Sequence, residues 1–289
     1  IFFFFFGVAV EGVSAYPSEV TAQMVANFST GGSAICVLSR HIGAAFEVVD
    51  VGVASDTSVF RGVIQDKSQQ GTDNFLVQAA MTSTALDIAL NAGRSAVQRA
   101  IAMGADCFIG GEMGIGNTTS ASALACAFLR ATATDMTGAG TGISSTTLAH
   151  KTQIIDRALA HHQADKLANI DILATFGGYE IAALTGAYIA ASQAGLPIIV
   201  DGFISSVAAL AACKLNTSTH NWLFFGHISA EQAHSKVLEA LDGQPLLQLD
   251  MRLGEGSGAA SAYGLLQLAC VLHSQMATFA EANVSTSGA

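Results

Sequence analysis

Cys107-Phe108-Ile109-Gly110-Gly111-Glu112-Met113-Gly114-Ile115-Gly116-Asn117-Thr118-Thr119-Ser120 is the stretch on which the fold turns. Its first four residues are apolar or small and read as a short buried strand. Glycines follow, and residues 119–130 read as a helix. A strand that runs through a glycine-rich turn into a helix is the repeating unit of parallel α/β proteins. The same alternation extends in both directions. Residues 2–10, 45–53, 172–175, 197–200 and 222–225 read as further strands. Residues 18–27, 82–103, 147–161, 181–194, 206–214, 230–241 and 258–282 read as helices. Short, nearly all-apolar strands predict a parallel sheet covered by helices on both faces. Residues 56–74 are polar and break the pattern, and they read as a surface excursion with a small hairpin. No linker divides the chain, so residues 1–289 are expected to form one domain, with a loose tail at 284–289.

Composition narrows the function classes. Of the 289 residues, 51% are hydrophobic and 12% charged, and the net charge is −10. A nucleic-acid partner is not expected, because phosphate backbones demand a basic face. Residues 181–200 are uncharged and about long enough to span a bilayer. Thr185, Ser192, Gln193, Gly195 and Pro197 favour a buried helix, a turn and a strand there, and no membrane span is expected. Cys36, Cys107, Cys126, Cys213 and Cys270 form no Cys-x-x-Cys pair and read as reduced, buried thiols of a cytoplasmic protein. Five phenylalanines, Phe2 to Phe6, read as the middle of a buried strand, and the chain is expected to begin after a missing N-terminal segment.

Parallel sheets bind ligands at the carboxyl ends of their strands. Four joints there carry chemistry. In the first, residues 110–120, glycines admit an anion to the backbone, a helix start supplies N–H groups, and Asn117, Thr118 and Thr119 add donors. An ordinary tight turn is the plainer reading, but Glu112 beside a phosphate cradle implies a task. The second, residues 137–142, is followed by Lys151, which either meets a phosphate or is a solvated helix residue. The third follows strand 197–200: Asp201 either binds a ribose hydroxyl or caps the next helix. In the fourth, residues 251–260, Glu255 lies between Gly254 and Gly256. It is either a partly desolvated general base beside a flat ligand or a solvated loop residue. His227 and His234 read as members of a polar network rather than metal ligands, and His161-His162 as a solvated helix end.

Taken together, these segments resemble the nicotinate-nucleotide:dimethylbenzimidazole phosphoribosyltransferases. The matching strings are residues 11–17, 111–119, 176–180, 201–205, 227–231 and 252–260, in the family's order across nearly the whole chain. The resemblance implies transfer of a phosphoribosyl group from nicotinate mononucleotide to 5,6-dimethylbenzimidazole, without metal or cofactor. It implies Glu255 as general base and Glu112 as a supporting carboxylate. The phosphate would meet Gly114, Gly116, Asn117, Thr118, Gly140, Thr141, Lys151, Gly202 and Ser229. The base would lie near Tyr16, Met113 and Leu253. A homodimer is implied, with a Rossmann-like large domain and a smaller helical subdomain from both chain ends, residues 258–289 included. The family carries Asp-His where this chain has Phe5-Phe6, and this keeps a non-catalytic benzimidazole-binding homologue in view. A dinucleotide oxidoreductase would need Gly-x-Gly-x-x-Gly at the first strand, which is absent.

Overall fold

The computed structural model describes residues 1–17, 19–67, 69–138 and 142–285. Among these residues are eight short strands: β1 (Phe2–Phe4), β2 (Val48–Gly52), β3 (Val63–Gln65), β4 (Phe108–Ile109), β5 (Glu112–Met113), β6 (Ile198–Val200), β7 (Leu223–Ile228) and β8 (Pro245–Gln248). They pair in two parallel groups, in the orders β3-β2-β1-β5 and β4-β6-β7-β8. Only Gly110 and Gly111 separate β4 from β5, and the Phe2 N–H donates to the Gly111 carbonyl at 3.0 Å. Residues 108–113 are therefore one extended segment that pairs first with β6 and then with β1. The sheet winds outward in opposite directions from this segment, so a Rossmann-like switch point lies between β1 and β5.

The phenylalanine run is explained by this central position. Phe2 and Phe4 enter the larger core cluster, while Phe3, between them, enters the smaller cluster on the other face. Alternation with a period of two sends successive side chains to opposite faces. A strand buried on both faces favours apolar side chains at every position. Phe6 also lies in the larger cluster, edge-on to Phe4, which is edge-on to Tyr179.

Helices α1 (Val20–Ser29), α2 (Ala34–Ile42), α3 (Ser83–Ala102), α4 (Asn117–Leu129), α5 (Ala133–Met136), α6 (Ser145–His161), α7 (Asn169–Phe176), α8 (Tyr179–Gln193), α9 (Phe203–Leu215), α10 (His234–Ala240) and α11 (Ser257–Gln275) complete the described fold. The larger cluster is built by α3, α4, α8 and α9. The smaller is built by α1, α2 and the start of α11. Helix α8 has no polar face, because α3, α9 and the sheet surround it. The uncharged stretch 181–200 is thus α8, a turn and β6. Among the described residues, no helix is long and apolar enough to cross a membrane.

Several expectations are corrected. Residues 172–175 belong to α7, not to a strand: Ile172, Leu173 and Phe176 share a buried helical face, and a four-residue apolar run does not by itself distinguish the two periods. The first strand ends at Phe4, and Gly7–Glu11 forms a 3-10 turn. Among its described residues the polar excursion forms no hairpin, and Val63–Gln65 instead pairs parallel to β2 as an edge strand. The last helix stops at Gln275. Cys270 is exposed, whereas Cys36 and Cys126 are buried. Helix α2 and strands β3, β5 and β8 went unread: α2 is short, β5 is a glycine-flanked dipeptide, and β3 and β8 lie at the sheet edges.

Candidate active site

Because the strands run parallel, the carboxyl ends of β5, β6 and β7 open on one side of the sheet. A cavity of about 360 Å³ lies there, lined among others by Glu112, Thr118, Asp201, His227, Arg252 and Glu255. A cavity of similar size, about 350 Å³, lies near the amino ends, against Ile1, Phe46 and Cys107. The groups singled out from the sequence converge only on the first.

One wall is the turn from β5 into α4. Gly114, Asn117 and Thr118 line it, and Gly116, with φ of 100°, lets the chain turn into the helix. Thr118 Oγ1 accepts from Lys151 Nζ at 2.9 Å, and the Gly138 carbonyl accepts from the same amine at 3.4 Å. Lys151 is 1% exposed, and burial lowers its pKa to about 8, with Glu231 opposing the shift. Such a cation favours an incoming anion that restores its charge. Gly202 and Ser229 face this wall from the ends of β6 and β7. Gly140 and Thr141 lie outside the described residues.

The second wall carries three carboxyl groups. Glu112 is the next-to-last residue of the switch-point segment, is buried, and accepts from Asn117 Nδ2. Burial, then the charge of Asp201, raises its pKa to about 8 despite that hydrogen bond. Glu255 lies in a run of left-handed backbone, with φ of 81° at Gly254, 64° at Glu255 and 77° at Gly256. Glycine tolerates this geometry, whereas glutamate adopts it only where surrounding structure imposes it. A side chain at Gly111 would come within 2.7 Å of the Glu255 carbonyl, so the loop rests directly on the switch-point segment. The Ile35 N–H, in the first turn of α2, donates to Glu255 Oε2 at 3.2 Å. Burial raises the pKa of Glu255, and the amides of Ala34 and Ile35 pull the other way.

Asp201 turns both oxygens to the same loop. Oδ2 accepts from the Gly256 N–H at 3.2 Å, and Oδ1 from the Ala259 N–H at 2.9 Å. It caps α11 across the sheet rather than α9, which follows it in sequence. His227 Nε2 lies 3.6 Å from Oδ1. The other histidine of the pair, His234, accepts from the Ser229 N–H through Nδ1 at 2.9 Å and meets Ser206 Oγ through Nε2 at 2.9 Å. Burial lowers its pKa to about 3, so it is a neutral hydrogen-bonding ring. Both histidines thus belong to a polar network, as read from the sequence. His162 is instead tied down, its Nε2 meeting the Phe75 carbonyl at 2.8 Å.

The mouth between the walls is apolar. Tyr16, Met113 and Leu253 line it together with Val20 and Met24 of α1. Val20 and Met24 escaped sequence reading because a lone apolar helix residue carries no signal for a binding slot. Glu180 also escaped: it is fully buried beside Phe6 and Gly178, and burial followed by the charge of Glu112 raises its pKa well above the usual range.

A glycine-rich strand–helix turn backed by a buried cation and three buried carboxyl groups thus meet at one cavity with an apolar mouth. The family model described as "Phosphoribosyltransferase" matches residues 6–284. The nicotinate-nucleotide–dimethylbenzimidazole phosphoribosyltransferase of Pseudomonas fluorescens (strain SBW25) is 54% identical over 279 residues, which are 96% of this chain and 80% of that protein. The protein of the same name from Xanthomonas axonopodis pv. citri (strain 306) is 53% identical over the same shares. The crystal structure of CobT from Thermus thermophilus superposes with a TM-score of 0.95 at 44% identity, covering 99% of this chain and 85% of that one. The chain therefore belongs to the nicotinate-nucleotide–dimethylbenzimidazole phosphoribosyltransferase family.

Proposed function

We propose that the pocket transfers the phosphoribosyl group of nicotinate mononucleotide to 5,6-dimethylbenzimidazole, giving α-ribazole 5′-phosphate and nicotinate. The observation that carries this reading is Glu255, a buried carboxylate at an apolar slot that shares one cavity with the phosphate-binding turn. The benzimidazole N–H gives its proton to Glu255, and the other ring nitrogen attacks the anomeric carbon of the ribose. The bond from that carbon to the nicotinate nitrogen breaks, and the leaving ring keeps the electron pair. Attack from the opposite face turns the β configuration into α. Glu255 is suited to the task because a raised pKa makes its carboxylate a stronger base. Glu112, protonated at neutral pH, donates a hydrogen bond to the sugar.

Gly114, Gly116, Asn117, Thr118, Lys151, Gly202 and Ser229 hold the phosphate, and the assignment extends to Gly140 and Thr141. Tyr16, Met113 and Leu253 flank the base. Helices α1, α2 and α11 form the smaller helical subdomain, supported by the packing of α11 on α2. The protein acts as a cytoplasmic homodimer. Leu265, Leu268 and Leu272 form an exposed apolar stripe on α11, with exposed Met276 directly after it, that a second copy covers. The test is direct: supply both substrates and follow α-ribazole phosphate. Product from the unsubstituted protein and none from Glu255→Ala supports the proposal. Tight base binding without turnover in both proteins sinks it.

A further inference from the structure

We infer that Asp201 is a positioning residue: by binding the Gly256 and Ala259 amides it holds Glu255 in its left-handed backbone, and it does not bind the ribose. The inference rests on the reaction proposed above. Its basis is geometric. The two amides belong to the residue directly after Glu255 and to the first turn of α11. A glutamate at φ 64° between two left-handed glycines does not hold that shape by its own preference. Asp201 is fixed on the end of β6 and is 2% exposed, so the anchor is rigid and dry. Further backbone donors at Gly202 and Gly258 also face the carboxylate. The pocket side is left little of it.

The anchor also acts through its charge. The groups facing Asp201 are His227 on β7, Glu112 on β5, Tyr188 on α8 and Glu255 itself. Glu255 is faced by Asp201, Glu112 and the Ala34 and Ile35 amides of α2. The Asp201 charge raises the pKa of Glu255. A neutral side chain at 201 thus weakens the base as well as loosening it.

The experiment measures kcat, the KM for nicotinate mononucleotide and the pH profile of kcat/KM in Asp201→Asn and Asp201→Glu. In Asp201→Asn, kcat is expected to fall about 10–100-fold, the cost of a small misplacement of a reacting group. The acid limb of the profile is expected to move to lower pH by roughly half a unit or more, as removal of a nearby like charge requires. Asp201→Glu keeps the charge but lengthens the arm, so kcat falls and the limb stays. A rise in mononucleotide KM at unchanged kcat and limb means a ribose contact and overturns the inference. A lower Tm with unchanged kcat per folded molecule and an unmoved limb means a merely structural residue and overturns it too. Should neither variant fold, amide exchange in the unsubstituted enzyme decides: slow exchange at Gly256 and Ala259 supports the anchor, and fast exchange removes it. If the unsubstituted enzyme makes no α-ribazole phosphate, the reaction proposal fails and not this one.

Discussion

The two ends of the pocket are built on different principles. At the Glu255 end, every contact runs through backbone groups of the loop or its neighbours: the Ile35 N–H donates to the Glu255 carboxylate, the Asp201 carboxylate grips the loop amides, and Gly111 gives the loop a floor. At the Lys151 end, a single buried ammonium reaches across to Thr118 and the Gly138 carbonyl. The carboxylate end is preorganised and has a cost in strain and in crowded negative charge. The cation end is desolvated with the charge of Glu231 near it, and in the proposed complex the substrate phosphate joins that ion pair as a second anion. In the proposed reaction, position is controlled where the proton moves, and charge where the substrate is held.

If the ends differ in this way, substitutions should split kcat from KM. The largest effect is expected from Glu255→Ala, with kcat reduced by about 10²–10⁴, the usual contribution of a positioned general base. The mononucleotide KM should change little in steady-state assays. An equal rise in KM would erase the distinction. Lys151→Met should do the reverse. Losing a charge-assisted hydrogen bond of about 1.5–3 kcal/mol raises the mononucleotide KM about 10–100-fold, with kcat held within a few-fold.

The pH profile sharpens the contrast. Glu255 must be deprotonated, so kcat/KM should fall as pH drops through its raised pKa. Lys151 must be protonated, so phosphate binding to the free enzyme should weaken as pH rises through about 8. A profile with no alkaline fall in binding would remove Lys151 from the phosphate site.

The smallest expected effect concerns stability. Glu112 keeps its proton up to about pH 8 in the fold but only to its ordinary value near 4.5 when unfolded. The folded form therefore binds more protons between those limits, and its stability falls as pH rises across them. In Glu112→Gln this dependence should flatten, with Tm gaining more at pH 8 than at pH 5 in thermal scans. An equal change at both values would show that Glu112 is not held neutral.

Much of the site was legible because chemistry here leaves local marks. A glutamate between glycines, a glycine-rich strand–helix joint and an aspartate after an apolar strand each stand out over a few residues. Val20, Met24 and Glu180 left no such mark, since their roles come from neighbours far away in the chain. Asp201 was found but its role stayed open between ribose ligand and cap. Its donors, Gly256 and Ala259, lie more than fifty positions on.

By itself the sequence determined the alternation of strands and helices, the parallel sheet with two covered faces, and the family. These follow from local periodicity, glycine placement and long shared strings. Packing between distant segments set the two sheet neighbours of residues 108–113, the helical state of 172–175, and the amides that hold Glu255. The physical reason is that hydrogen-bond partners and burial are set by long-range packing, which a short window of residues does not contain.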